Sequence, residues 1–147
     1  MTKNERVQIA YDSRKKGLNC GQSVMLAFRD KVGLTEEQAM GLGSSMGGGV
    51  RSGLVCGTVN SASVILGMLY PQTLQEGTKA QNIKIVKEFQ RRFREYFPAY
   101  NCRELLAAKD LQGTPLAEEL GSDDHCGRLI YTVTELLSDY LDELEGE

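Results

Sequence analysis

Four cysteines, Cys20, Cys56, Cys102 and Cys126, carry most of the chemical potential of this 147-residue chain. A thiolate is a nucleophile, a metal ligand and half of a disulfide. No two of the four form C-x-x-C, so the chain has neither a zinc knuckle nor a thioredoxin-type pair. Their settings nevertheless repeat. Cys20 and Cys102 follow Asn19 and Asn101, a favoured helix N-cap type. Cys56 follows the glycine run Gly47, Gly48, Gly49, and Cys126 follows Ser122-Asp123-Asp124-His125. Each cysteine is expected at or near a helix N-terminus, where unpaired N–H groups and the helix dipole favour a negative charge. Cys20, Cys56 and Cys126 are each followed by Gly, which lets another backbone or a cofactor come close. Four converging thiols could ligate zinc or an iron–sulfur cluster, or cycle between dithiol and disulfide. The plain alternative is four unrelated core thiols.

The same segments hold the supporting candidates. Gly47, Gly48, Gly49 and Gly57 offer backbone freedom around Cys56. Arg51 could bind an anion or offset a cluster's charge; otherwise it is a loop arginine. Asn60, one helical turn beyond Cys56, could hydrogen-bond a sulfur or a neighbouring helix. His125 is the single histidine and adjoins Cys126. It could tune the thiol or serve as a ligand, but helix neighbours point about 100° apart, so a capping or surface role competes. No Cys–His–Asp constellation can be assembled from the sequence, which ranks catalysis by Cys56 alone below the other readings.

These residues must be positioned by helices. Apolar spacing and breakers predict helices over 4–16, 20–33, 36–46, 54–70 and 79–97. Others start at 102, after Pro115 and near 126. Thr35 and Gln38 form a capping box. Gly41 and Gly43 in that helix imply a close contact there. Segment 54–70 is apolar over most of its surface and is expected to be the central helix. In 79–97, Ile83, Val86, Phe89, Phe93 and Phe97 make one face. Ser122, Asp123 or Asp124 can cap the last helix, whose stripe Leu129, Val133, Leu136, Tyr140, Leu144 packs on the chain's own core or forms a homodimer seam. The fold class is all-α: residues 1–147 as a single compact bundle of six or seven helices.

Composition limits the function. With 41% hydrophobic and 25% charged residues the chain suits a globular domain. A net charge of −3 gives no reason to expect a nucleic-acid partner, whose binders usually carry a basic face. No apolar run approaches the roughly 18 residues that span a bilayer, so membrane insertion is not expected. The N-terminus has no apolar h-region, which points to the cytoplasm. There, structural disulfides are not expected.

The ordered set Asn19-Cys20 with Gln22-Ser23, the Gly47-Gly48-Gly49 run, Cys56-Gly57, Asn101-Cys102-Arg103-Glu104-Leu105-Leu106 and Cys126 resembles the C_GCAxxG_C_C family. That family comprises redox-active proteins named for four cysteines and a Cys-Gly-Ala-x-x-Gly motif. Here Thr58 stands for the Ala and Ser61 for the last Gly, adding hydroxyls near Cys56. The resemblance implies a small helical protein of redox role, with Cys20, Cys56, Cys102 and Cys126 as redox or metal residues and a redox partner protein. Related segments occur joined to haem-binding parts with a proposed iron–sulfur cluster; this chain has no C-x-x-C-H of its own. The expected function is electron transfer by cluster ligands or redox thiols. The alternative is a zinc-stabilised helical interaction module without redox activity.

Overall fold

The structure, a computed structural model, describes residues 1–121 and 123–146. They form eight α-helices: α1 (Lys3–Lys15), α2 (Cys20–Ala27), α3 (Glu36–Gly43), α4 (Gly57–Leu69), α5 (Thr78–Tyr96), α6 (Cys102–Ala107), α7 (Pro115–Gly121) and α8 (His125–Gly146). A ninth helical element, the short turn Gly49–Gly53, stands between α3 and α4. Among the described residues there is no strand; one antiparallel bridge pairs Val55 with Asn101. The fold is all-helical, but the expected count of six or seven is too low. The short α6 and α7 each count as a helix of their own, at the starts expected for them; Pro115 opens α7 behind Thr114, whose hydroxyl accepts the Ala117 N–H at 3.3 Å. The glycine segment also winds a turn of its own.

Local chemistry sets the ends. Asn19 closes a capping box with Gln22, Thr35 with Gln38, and Thr2 with Glu5. Gly17 ends α1 at φ +99. α2 stops at Ala27 rather than continuing to residue 33. The Ala27 carbonyl, which a continuing helix would offer to the Lys31 N–H, accepts from Arg6 Nη1 at 2.8 Å, and the Lys31 N–H turns to Phe28 O. Arg6 is buried, lies over the Phe28 ring and grips Asp30 through Nη1 and Nη2.

α8 is the hub. It packs on α1, α2, α4, α5, α6 and α7, whereas α4, the expected centre, packs on α2, α5 and α8. Of the expected stripe on α8, Leu129, Val133 and Tyr140 are buried, and Leu136 and Leu144 are half-buried against the core; Leu137 and Leu141 beside it are buried. Its apolar stripe is therefore covered by the chain's own helices. On α5 the buried face is Ile85, Phe89 and Phe93; Ile83 is exposed. Asp124 caps α8, accepting the Cys126 N–H at 3.1 Å, while Ser122 lies outside the described residues. No helix of the described residues is long and apolar enough to cross a membrane.

Of the two α3 glycines, only one makes the expected contact. A Cβ at Gly43 would lie 2.6 Å from Gln22 N and 2.7 Å from Gln22 Cα, while one at Gly41 meets nothing within 4 Å. Gly43→Ala is expected to cost about 1–3 kcal/mol through overpacking. Gly41→Ala should stabilise by up to about 1 kcal/mol through helix propensity. Chemical denaturation separates them; equal effects would contradict the α2–α3 contact.

Candidate functional site

The segment entering Cys56 winds the wrong way. Gly48, Gly49, Val50 and Arg51 have φ of 62, 60, 57 and 55, one left-handed turn, and Gly53 follows at φ 69. Glycine accepts this conformation freely, whereas Val50 and Arg51 cost roughly 1–2 kcal/mol each. The turn is held at its exit by two backbone bonds. The Cys56 N–H donates to Tyr100 O at 2.8 Å and the Cys102 N–H to Leu54 O at 2.7 Å. These bonds set Cys56 and Cys102 at diagonal positions across the bridge, a relation with roughly 7–8 Å between residues.

All four cysteines stand at helix starts: Cys20 and Cys102 are the first residues of α2 and α6, Cys56 precedes α4, and Cys126 is second in α8. At Cys20 two such starts converge. A Cβ on Gly57 would lie 2.5 Å from Cys20 Sγ and 2.8 Å from Met46 O, so the first turn of α4 lies directly against the sulfur. The Cys56 thiol faces Cys20 and is the strongest influence on it. Backbone N–H groups of Gly21, Gly57 and Cys20 add to it, and burial opposes. Together they bring the Cys20 thiol down to about 6. Cys56 is 3% exposed. Its thiol is pushed well above its ordinary value, first by the neighbouring Cys20 sulfur, then by burial and the Cys20 charge. The Thr58 hydroxyl lies 3.1 Å from Cys56 Sγ and acts the other way.

Cys102 and Cys126 complete the cluster at longer range. Both are half-buried free thiols. Burial and then the Cys20 charge raise Cys102. Burial raises Cys126 to about 11, against the pull of Arg14 and with Asp124, Cys20 and Cys102 adding. The charges of Cys20 and Cys102 thus reach Cys126, and that of Cys20 reaches Cys102. The strongest mutual influence among the thiols is between Cys20 and Cys56, whereas at Cys102 and Cys126 burial outweighs the other thiols. Among the described residues no three His, Cys, Asp or Glu side chains are disposed to hold one metal ion.

The family model described as "Putative redox-active protein (C_GCAxxG_C_C)" matches residues 18–140. The chain belongs to this family. No curated protein and no solved structure matches it. The span of the family match contains all four cysteines and both departures from the expected motif. The departures differ in kind. Thr58 presents its hydroxyl to Cys56, whereas Ser61 donates to Gly57 O at 2.8 Å within its own helix.

The supporting candidates divide as well. Gly57 touches the Cys20 sulfur, and Gly47 lets the chain pass Asn19, where a Cβ would lie 3.1 Å from Asn19 Cβ. Gly48 and Gly49 carry the left-handed turn. Arg51 is exposed and donates to Ser44 O at 3.1 Å. Asn60 donates to Val55 O at 2.9 Å, tying down the residue before Cys56 instead of a sulfur. His125 engages Ala108 O at 2.7 Å through Nε2 and Arg128 Nη1 at 3.3 Å through Nδ1, so neither bond runs to a thiol. Asn101 does not cap α6 with its side chain; it donates to Glu104 Oε1 at 3.3 Å. The cation acting on the cluster is Arg14, at the end of α1, paired with Asp124 at 3.4 Å. Nothing in the local sequence marks it, because its partners lie in α2 and around the start of α8.

Proposed function

We propose that this protein is a dithiol–disulfide redox protein in which Cys20 attacks and Cys56 resolves. The observation that carries the reading is the half-exposed Cys20 sulfur, approached by the N-termini of α2 and α4 and by the Cys56 thiol. Near neutral pH Cys20 is a thiolate. It attacks one sulfur of a partner's disulfide, forming a mixed disulfide and releasing the other partner sulfur as a thiolate. Cys20 then no longer carries a charge. The bond that most holds the proton on Cys56 is lost with it. Cys56 gives that proton to the thiolate released in the first step and attacks Cys20 Sγ, closing the Cys20–Cys56 disulfide and releasing the second partner sulfur as a thiolate. Two thiols are oxidised and one disulfide is reduced to two thiols, a two-electron exchange.

Cys102 and Cys126 remain protonated at neutral pH and stay outside this first exchange. The reading suits a reducing, cytoplasmic setting, where the dithiol is the resting form. The partner is a disulfide-bearing redox protein or small disulfide. Reduced protein titrated with oxidised glutathione, followed by mass-spectrometric mapping, is expected to yield a Cys20–Cys56 disulfide and free glutathione. Pairing confined to other cysteines would overturn the reading. So would stoichiometric iron and sulfide, or zinc, in anaerobically purified protein.

A further inference from the structure

We infer that Thr58 is a positioning residue for the resolving thiol: its buried hydroxyl donates to Cys56 Sγ and so directs the Cys56 proton onto Cys20. The inference rests on the dithiol reading above. Thr58 is fully buried and its hydroxyl lies 3.1 Å from Cys56 Sγ. Among the described residues no other hydrogen bond of that hydroxyl is present, and no buried side-chain N or O is left without a partner.

The donor roles follow from this inventory. A threonine hydroxyl has one proton to give. If Cys56 donated to Thr58, that proton would be left buried and unbonded, at the full desolvation cost. If Thr58 donates to Cys56, the Cys56 S–H is free to point at the Cys20 thiolate. The order is then Thr58 O–H to Cys56 S–H to Cys20 S⁻, a chain in which each bond polarises the next. During resolution the Cys56 proton leaves and its sulfur becomes an attacking thiolate. The Thr58 hydroxyl is then a charge-assisted donor, roughly twice as strong as a neutral one. It also keeps the sulfur aimed at Cys20 as charge develops.

Thr58→Val keeps the branched shape and removes the donor; Thr58→Ser keeps the donor. Two measurements on the full-length protein separate this inference from the function it rests on. In the first, NMR follows the Cβ shifts of Cys20 and Cys56 with pH, with no exchange reaction required. Thr58→Val is expected to move the Cys56 titration to higher pH, and Thr58→Ser to restore it. In the second, oxidised glutathione is mixed with reduced protein and the mixed disulfide at Cys20 is timed. Resolution in Thr58→Val should slow by about tenfold, the size of one hydrogen bond to a charged group, while formation of the mixed disulfide changes little. Unchanged titration and resolution in Thr58→Val would overturn the inference, leaving Thr58 a packing residue. A wild-type protein that forms no Cys20–Cys56 disulfide would instead overturn the dithiol function, whatever the NMR titration reports for Thr58.

Discussion

Iodoacetamide is expected to label Cys20 in a fast phase whose rate climbs to a plateau with a midpoint near pH 6, against an ordinary thiol value of 9.0. The sign follows from the reactive form. Only the thiolate is alkylated, so lowering pH through 6 protonates Cys20 and slows labelling, while raising it further adds little. The midpoint decides more than the rate. At pH 7 the shift raises the thiolate fraction by about two orders of magnitude. A thiolate of lower pKa is also intrinsically less nucleophilic, with a Brønsted slope of about 0.4–0.5, which returns more than one of those orders. Cys20 should therefore react only several-fold faster than an exposed ordinary thiol, but with a displaced pH profile. Cys126, at about 11 and partly buried, should lag far behind. Cys20→Ser is expected to remove the fast phase and reduce disulfide exchange to background. A fast phase that persists in Cys20→Ser, or a midpoint near the ordinary value, contradicts the assignment.

Gly57→Ala should damage the site most for the smallest change. The added carbon would sit 2.5 Å from Cys20 Sγ, 2.8 Å from Met46 O and 3.2 Å from Gly21 N. Two of these are backbone atoms and the third is a sulfur held between helix starts, so none yields as the end of a flexible side chain would. Either the start of α4 lifts away or Cys20 rotates out of its N–H groups. Both routes separate the sulfur from Gly57 N–H and from Cys56, the contacts that lower its pKa. Overpacking of this kind costs about 1–3 kcal/mol. The Cys20 midpoint should move up toward the ordinary thiol range, and exchange should fall by roughly tenfold or more. Gly67→Ala is the control in the same helix: a Cβ there meets nothing within 4 Å. Gly57→Ala protein that loses stability but keeps a midpoint near 6 would break the link between this contact and the thiol chemistry.

Much of the frame could be read from the chain. Asn19 with Gln22, Thr35 with Gln38, and Gly17 are local signals, and each does what its type and spacing suggest. The helix-start setting of the four cysteines is of the same kind. What could not be read depends on partners distant in sequence. α2 ends early because Arg6, in α1, takes the Ala27 carbonyl. Cys20 and Cys56 come near each other because Gly57 lets the start of α4 lie against the Cys20 sulfur. Arg14 matters because α8 begins nearby, and Arg51, beside the glycines, matters less because its left-handed backbone carries it to Ser44. Asn101 has the residue type of a cap, but its amide goes to Glu104. Residue type supplied the candidates, and only the packing of separate helices could choose among them.

The bridge between Val55 and Asn101 also depends on the rest of the fold. It closes a long loop containing all of α4 and α5. Its two backbone bonds add about 0.5–1.5 kcal/mol each, which does not outweigh the entropy of joining such distant points in a free chain. The ends are held together by the docking of α4 and α5 against α8. In an unfolded chain the four cysteines are ordinary thiols, mostly protonated at neutral pH. On the dithiol reading, the acidity of Cys20 is therefore a property of the packed molecule rather than of any segment of it.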